Sequence, residues 1–129
     1  MNILLDTHLL LWAADQKLGD LSPAAAELID DPSNALHFSA VSLWEIAIKS
    51  ALGRPDFEVD AAMLRRGLLD NGYIEIAVTS EHAVAVGRLA PIHKDPFDRM
   101  LIAQTGSEGV LLLTADAKVA RYPGSIRKV

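Results

Sequence analysis

Short apolar runs alternate with longer segments of helical periodicity along the chain. Four segments predict strands, three of them apolar runs and one an alternation of apolar and polar residues: 2–5, 35–38, 73–78 and 110–113. Helical spacing predicts helices at 7–14, 23–29, 39–52, 59–70, 80–89 and 97–107, and Ile126 falls on a last edge strand. Strands separated by helices favour right-handed crossovers and a mostly parallel sheet with helices on both faces, which is an α/β fold.

The predicted helices carry apolar faces that we expect to be buried. Within residues 39–52, apolar side chains recur at spacings of three and four, at Val41, Trp44, Ile48 and Leu52. Trp12, Phe97 and Met100 occupy similar apolar positions on other helices, and we expect them in the core.

Length and composition limit the class of protein. The 129 residues are typical of one domain, so we treat residues 1–129 as a single domain. Hydrophobic residues make up 50% and charged residues 22%, which excludes a disordered chain. The absence of cysteine excludes a disulfide scaffold, a thiolate zinc site and a cysteine nucleophile. No apolar run approaches the ~20 residues of a membrane helix and no signal-peptide pattern is seen, so we expect a soluble cytoplasmic protein with no membrane partner.

The overall charge is acidic. The formal net charge of −5 argues against a surface that simply binds phosphates. An acidic protein can nevertheless hold a polyanion when metal ions lie between the two. Any nucleic-acid chemistry predicted for this chain therefore has to account for its acids first.

Four acids fall where a parallel sheet gathers ligands, at the carboxyl ends of its strands. Asp6 directly follows the first strand, and Asp116 lies three residues past the end of the fourth. Asp98 begins the helix that leads into the fourth strand, and Glu45 lies in the helix that follows the second. If the first and fourth strands are neighbours, these four side chains can converge.

Each acid also has a purely structural interpretation. Asp6 and Asp116 can cap the helices that follow them, and Asp95 is a good N-cap for the helix that contains Asp98. Ser42 and Glu45 match a capping box, which would make Glu45 structural. Ser39 is an equally good cap, and in that case Glu45 lies well inside an apolar helix or pairs with Lys49 at the i, i+4 spacing.

A cluster of four carboxylates would need cations to hold it together, because like charges at short range repel strongly. Hard oxygen ligands favour Mg²⁺ or Mn²⁺, and such a site can accept a phosphodiester and activate a water. The chain has no HExxH, GxGxxG or GxSxG motif that would indicate other chemistry. Of its four histidines only His93, beside Lys94 and Asp95, is placed to approach a substrate.

Four segments resemble, in order, the motifs of PIN-domain ribonucleases, and most closely those of VapC-type toxins of bacterial toxin–antitoxin pairs. The segments are ILLDTH at 3–8, SLWEI at 42–46, DPFDRMLIA at 95–103 and LTAD at 113–116. Each motif alone is weak, but the four at these spacings are specific and together cover nearly the whole chain.

The resemblance implies a PIN-like three-layer α/β sandwich with strand order 3-2-1-4-5, in which the first and fourth strands are neighbours. The implied metal ligands and catalytic residues are Asp6, Glu45, Asp98 and Asp116. Supporting positions implied by the motifs are Thr7, Thr114, Asp95 and Arg99. Arg99 stands where the family usually has a small residue, so contacts to substrate, to an antitoxin or to a neighbouring acid all stay open for it.

The resemblance also implies a function and partners. It implies an endoribonuclease that uses Mg²⁺ or Mn²⁺ to cut single-stranded RNA segments, a cognate antitoxin that blocks the acids, and a homodimer. Candidates for phosphate contacts, chosen by charge alone, are Lys49, Arg54, Arg65, Arg66, Arg99, Lys118 and Arg121. Two alternatives are a catalytically degenerate PIN-fold binding module and a receiver-like signalling domain. A receiver needs a pair of acids after the first strand, where this chain has Asp6 alone.

Overall fold

The computed structural model describes residues 1–129 and contains one five-stranded sheet. The strands are β1 (Asn2–Leu5), β2 (Ala35–Ser39), β3 (Ile74–Ile76), β4 (Leu111–Thr114) and β5 (Ile126–Lys128). The helices are α1 (Thr7–Ala14), α2 (Pro23–Asp30), α3 (Ala40–Ala51), α4 (Ala61–Asp70), α5 (Ser80–Val86) and α6 (Pro96–Glu108). Short 3₁₀ turns at Gln16–Leu18, Pro55–Phe57 and Val119–Arg121 complete the chain.

The sheet is parallel throughout, and its strand order is 3-2-1-4-5. This order confirms the predicted α/β architecture with β1 at the centre. Leu5 of β1 pairs with Leu113 of β4, so the chain segments that leave these two strands start side by side. Receiver-like domains have the different order 2-1-3-4-5, and the observed order excludes that alternative.

Alternate side chains of β1 supply the two hydrophobic cores, one on each face of the sheet. Ile3 and Leu5 belong to the core that includes Leu9, Phe38 and other residues, whereas Leu4 belongs to a second core built around α6. Successive residues of a strand point to opposite faces, so a fully apolar strand indicates a sheet covered on both sides. The sheet is therefore the middle of three layers, as predicted.

Capping residues define where α3 and α4 begin. Ser39 caps α3 and accepts a hydrogen bond from the Val41 amide at 3.1 Å, so the capping box proposed for Ser42 and Glu45 does not form. Asp60 caps α4 through the amides of Ala62 and Met63, so that helix begins two residues after the predicted start. Both caps satisfy amides that the first helical turn leaves without partners.

The predicted buried face of α3 is only partly correct. Val41 is buried, but Trp44 is 62% exposed and Leu52 is 75% exposed. Burial on this helix instead takes in two polar residues, Ser42 and Glu45. The face of α3 that turns inwards therefore carries polar as well as apolar residues and differs from the face that hydrophobic spacing predicted.

None of the helices combines the length and the apolar character that crossing a bilayer would require.

Candidate active site

The acids gather at the carboxyl edge of the sheet because β1 and β4 end next to each other. Asp6 follows β1, and its amide donates to the carbonyl of Leu113 at 3.1 Å, which continues the ladder by one residue. Asp116 lies two residues beyond β4. The junction at the end of two neighbouring parallel strands thus fixes the first and last of the four acids.

Asp6 is buried and held by two hydrogen bonds. Its Oδ1 accepts from the amide of Leu9 at 2.9 Å, as expected of an N-cap, and its Oδ2 accepts from the Thr114 hydroxyl at 2.5 Å. Burial raises the pKa of Asp6, the bonds from Thr114 and Leu9 oppose this shift, and the negative charge of Asp116 adds to it. Asp6 therefore caps α1 and at the same time faces the charge of Asp116.

Glu45 is 3% exposed and projects from α3 into the interior. Its Oε2 accepts from the Lys49 ammonium at 2.5 Å, which is the predicted i, i+4 pair, but buried rather than on the surface. Its Oε1 is buried without any hydrogen-bond partner. A carboxylate oxygen left unpaired in the interior is costly and calls for a partner such as an ion or a water.

The hydroxyl of Thr7 donates to the Ser42 hydroxyl at 2.9 Å. Both residues are buried, and the bond joins the first turns of α1 and α3. This link fixes the helix that carries Glu45 against the segment that carries Asp6. The contact that Thr7 makes is therefore one between elements of the fold.

Asp98 lies in the first turn of α6, where Asp95 caps the helix by accepting from the amides of Phe97 and Asp98. Burial raises the pKa of Asp98 to about 6, with further contributions from the charges of Asp95, Asp6 and Glu45, while the bond from His93 lowers it. The carboxylates of α1, α3 and α6 thus repel one another across a common space.

Asp116 is the most accessible of the four acids, with a side chain that is 42% exposed. Its Oδ1 accepts from the Lys118 amide at 2.7 Å, and its amide donates to the Thr114 hydroxyl at 3.0 Å. Thr114 therefore bridges Asp6 and Asp116, which places this threonine between two of the proposed ligands. The exposure of Asp116 marks the side from which a ligand can enter.

His93 takes a larger part in the site than the sequence indicates. Its Nε2 lies 2.8 Å from Asp98 Oδ2 and 3.7 Å from Asp116 Oδ2, and the donor atoms of these three residues all lie within 4.8 Å of one another. Asp6 and Glu45 are not part of this tight group. In the sequence, His93 is indicated only by its place in the loop before Asp95. The path of that loop depends on distant contacts, so the sequence does not show which acids the imidazole approaches.

Arg99 holds the loop that carries His93. Its guanidinium donates to the carbonyls of Val86, Ala90 and His93 and to the hydroxyl of Tyr122. The Tyr122 hydroxyl also accepts from the His93 amide at 2.9 Å. Arg99 forms no ion pair with an acid, so that interpretation of the residue is wrong, and these contacts leave its guanidinium little freedom for a phosphate.

The residues at the carboxyl edge of the sheet suit a divalent cation, both because their donors are oxygens and an imidazole and because Glu45 Oε1 has no partner. Four carboxylates and an imidazole surround the space, burial and mutual repulsion raise the pKa of Asp6 and Asp98, and Glu45 Oε1 lacks a partner. A bound cation would neutralise this charge and satisfy that oxygen. The donor set is thus consistent with the predicted Mg²⁺ or Mn²⁺ site.

The family model of the PIN domain matches residues 3–125. The chain belongs to the PIN domain family. No curated protein matches it by sequence. The match includes all four acids and the strands β1 to β4 except Asn2, and it ends directly before β5.

Solved structures share the fold of this PIN domain over nearly its whole length. VapBC2 from Rickettsia felis, bound to a promoter DNA fragment, is 13% identical with a TM-score of 0.73, and the match covers 100% of this chain and 99% of that chain. DNA-bound VapBC from Salmonella typhimurium is 17% identical with a TM-score of 0.66 and coverage of 99% and 98%. VapC20 from Mycobacterium tuberculosis, a toxin that cleaves the sarcin–ricin loop, is 15% identical with a TM-score of 0.63 and coverage of 94% and 96%. At these identities the similarity establishes the fold.

Proposed function

We propose that this PIN domain is a metal-dependent endoribonuclease. The observation that carries the proposal is the convergence of carboxylates at one edge of the sheet, with Glu45 Oε1 buried and unpaired among them. A structural cluster of this kind would be expected to contain enough cations to balance its charge. Only Lys49 pairs with any of the four acids, apart from the imidazole of His93.

The proposed metal ligands are Asp6, Glu45, Asp98 and Asp116, with Mg²⁺ or Mn²⁺ as the cation. A divalent metal bound there would activate a water and stabilise the charge that develops on a phosphodiester. The chain itself supplies orientation. Thr114 and the Leu9 amide fix both oxygens of Asp6, and His93 holds Oδ2 of Asp98.

Single-stranded RNA is the proposed substrate. The site is an open edge at which Asp116 is partly exposed, so a flexible strand or loop can reach it, whereas A-form helices present mainly their outer shape. The structural neighbour that cleaves the sarcin–ricin loop, an RNA segment, supports this substrate class by analogy.

The structural neighbours also support a biological role. Several of them are toxins in VapBC complexes, so we propose that this chain is the toxin of a toxin–antitoxin pair, acts in the cytoplasm as a homodimer and is blocked by a cognate antitoxin. A catalytically inactive binding module is the alternative. The set of four acids with an unpaired carboxylate oxygen favours the enzyme.

Metal binding and RNA cleavage by purified variants test the proposal. The wild-type protein should take up Mn²⁺ in calorimetry and cut a single-stranded RNA when Mn²⁺ or Mg²⁺ is present. Asp6→Asn should lose both properties while it keeps the helix cap, since asparagine caps as well as aspartate. Asp70→Asn, at an exposed position of α4, is the matched control and should behave as wild type. Metal uptake without cleavage of any RNA would favour the binding module, and cleavage by Asp6→Asn at the wild-type rate would refute the assigned site.

A further inference from the structure

Trp44 is an exposed aromatic side chain beside the acids. Its indole is 62% exposed, although the residue lies on α3 directly before the buried Glu45. Hydrophobic spacing predicted that it would be buried. Large apolar side chains that stay exposed next to a polar site are more informative than those scattered over a surface.

Phe97 packs against Trp44 and leaves part of the indole free. The two ring centroids are 5.5 Å apart with an interplanar angle of 74°, which is an edge-to-face contact. Phe97 therefore does not lie flat on the indole, and with Trp44 62% exposed most of its surface stays accessible to a stacking ligand. Phe97 in turn lies 5.5 Å from the Lys49 ammonium, which is bonded to Glu45, so contacts connect the indole to an acid of the site.

Cations lie between the aromatic rings of this region. The Lys49 ammonium, which is bonded to Glu45, lies 5.5 Å from the Phe97 ring centroid and 4.7 Å from that of Phe57. The Arg54 guanidinium lies 5.5 Å from the Phe57 ring and is about half exposed. Surfaces that bind single-stranded nucleic acids combine exposed rings with cations. Here Phe57 is buried, Lys49 is bonded to Glu45 and Arg54 to Asp56, so Trp44 is the ring of this group that is open to a base.

We propose that the open face of Trp44 stacks on a base of single-stranded RNA next to the phosphodiester that lies at the acids. The inference rests on the proposed ribonuclease function and adds how a substrate strand would be held. Stacking on an indole tolerates any base, so Trp44 would supply affinity and position rather than sequence choice.

The area available favours a nucleotide over a second protein chain. A stable protein interface needs about 800 Å² from each partner, whereas one aromatic side chain supplies about 150–250 Å². Leu52, the next strongly exposed apolar residue along the chain, follows the last residue of α3, two turns away from Trp44. One base matches the size of a single open ring.

Fluorescence gives a direct test, because the chain has only two tryptophans, Trp12 and Trp44. The wild-type protein is used with Mg²⁺ and a phosphorothioate oligouridylate that resists hydrolysis, so that RNA is bound at the acids and not cut. A short oligouridylate should quench the emission of this protein, and quenching should persist in a Trp12→Phe variant and disappear in Trp44→Phe. Binding measured by anisotropy of labelled oligouridylate should weaken about tenfold or more in Trp44→Leu, but only severalfold at most in Trp44→Phe.

The Trp44→Leu variant separates stacking from general apolar contact. Leu52→Ala is the control for the exposed apolar residue that follows α3. Equal RNA affinity of Trp44→Leu and Trp44→Phe would overturn the proposal. The proposal would also be overturned if Trp44→Leu changed the molar mass measured by light scattering and left RNA affinity unchanged. In that case the ring would contact a second copy of the chain. Because binding is measured without cleavage, these results are independent of the nuclease test. If the wild-type protein cuts RNA and Trp44→Leu binds RNA normally, the nuclease proposal stands and the stacking role is refuted.

Discussion

The protein buries polar side chains in two places, and the two differ in how their charges are balanced. At the carboxyl edge of the sheet, Glu45 keeps an unpaired carboxylate oxygen and acids face acids. Between α5 and α6, His82 is 1% exposed, accepts from the Thr79 amide at Nδ1 and contacts Glu108 through Nε2 at 2.8 Å. Gln104 adds the amide of a neutral side chain to this second group.

The comparison separates a structural polar group from a functional one. In the His82 group a neutral imidazole finds partners at both nitrogens, and the one orphaned atom, Gln104 Oε1, carries no net charge. At the acid edge the orphaned atom belongs to a carboxylate, and the neighbouring groups are mostly of the same sign. Satisfied polar groups stabilise a fold, whereas like charges held together lower its stability until a ligand compensates them. Substitutions in the two groups should therefore have opposite effects.

Replacing Glu45 with glutamine should have the largest effect, and it should appear in activity. We expect cleavage to fall by about a hundredfold or more, because the variant loses a charged ligand that the metal needs. The melting temperature of the metal-free protein should change little, because the relief of repulsion among the acids offsets the loss of the charge that pairs with Lys49. Cleavage rates and calorimetric melting without metal measure the two effects, and a large loss of metal-free stability with full activity would contradict this view of the acid edge.

Replacing His82 with alanine should have the reverse pattern. The variant loses hydrogen bonds to Thr79 and Glu108 and leaves a cavity, so the free energy of unfolding should fall by about 2–3 kcal/mol. Cleavage per folded molecule should stay at the wild-type level. Urea titration and active-site-normalised rates test this, with Glu81→Gln, an exposed change on the same helix, as the control. Loss of metal affinity in His82→Ala would remove the distinction between the two groups.

The pH dependence of metal binding should report Asp98. Its pKa is raised to about 6, so below that pH the neutral acid dominates and a metal must displace a proton to bind. Mn²⁺ affinity should fall about tenfold for each pH unit below 6 and level off above it. In the metal-free protein, the raised pKa of Asp98 makes stability fall as the pH rises, whereas Mn²⁺ affinity increases with pH. The unfolded chain releases this proton near pH 4 and the folded chain only near 6, so stability should decrease as pH rises through that window.

Calorimetry in buffers of different ionisation enthalpy would count the proton released with Mn²⁺, and urea titration from pH 4 to 7 would measure the stability trend. The His82 group contains no buried carboxylate like Asp98, since Glu108 is 43% exposed. Constant Mn²⁺ affinity between pH 5 and 7 would contradict the role given to Asp98.

Replacing Thr114 with valine should have the smallest effect. The fully buried hydroxyl donates to Asp6 and accepts from the Asp116 amide, and valine keeps the shape while removing both bonds. We expect a loss of about 1 kcal/mol in stability and a severalfold loss in Mn²⁺ affinity. Thr105→Val is a useful control, because its buried hydroxyl bonds only to a carbonyl within α6. It should leave metal affinity unchanged.

Local patterns in the sequence determined the strands, the alternation with helices and the parallel sheet, because each depends on the spacing of apolar residues over a few positions. The same patterns placed Asp6 and Asp116 at strand ends. Since parallel strands present their carboxyl ends on one edge, the position of these two acids follows from the topology. The resemblance carried by the four motifs implied the strand order, and the structure confirms it.

The tertiary structure alone decided how α3 and α6 meet. That packing exposes Trp44, buries Glu45 with an unpaired oxygen and brings His93 to Asp98, while Arg99 turns to the loop instead of an acid. None of these outcomes has a local signal, because each depends on contacts between segments about fifty residues apart or on the path of a loop. Periodicity assigns a helix an apolar face, but only its neighbours determine whether that face or the polar one turns inwards.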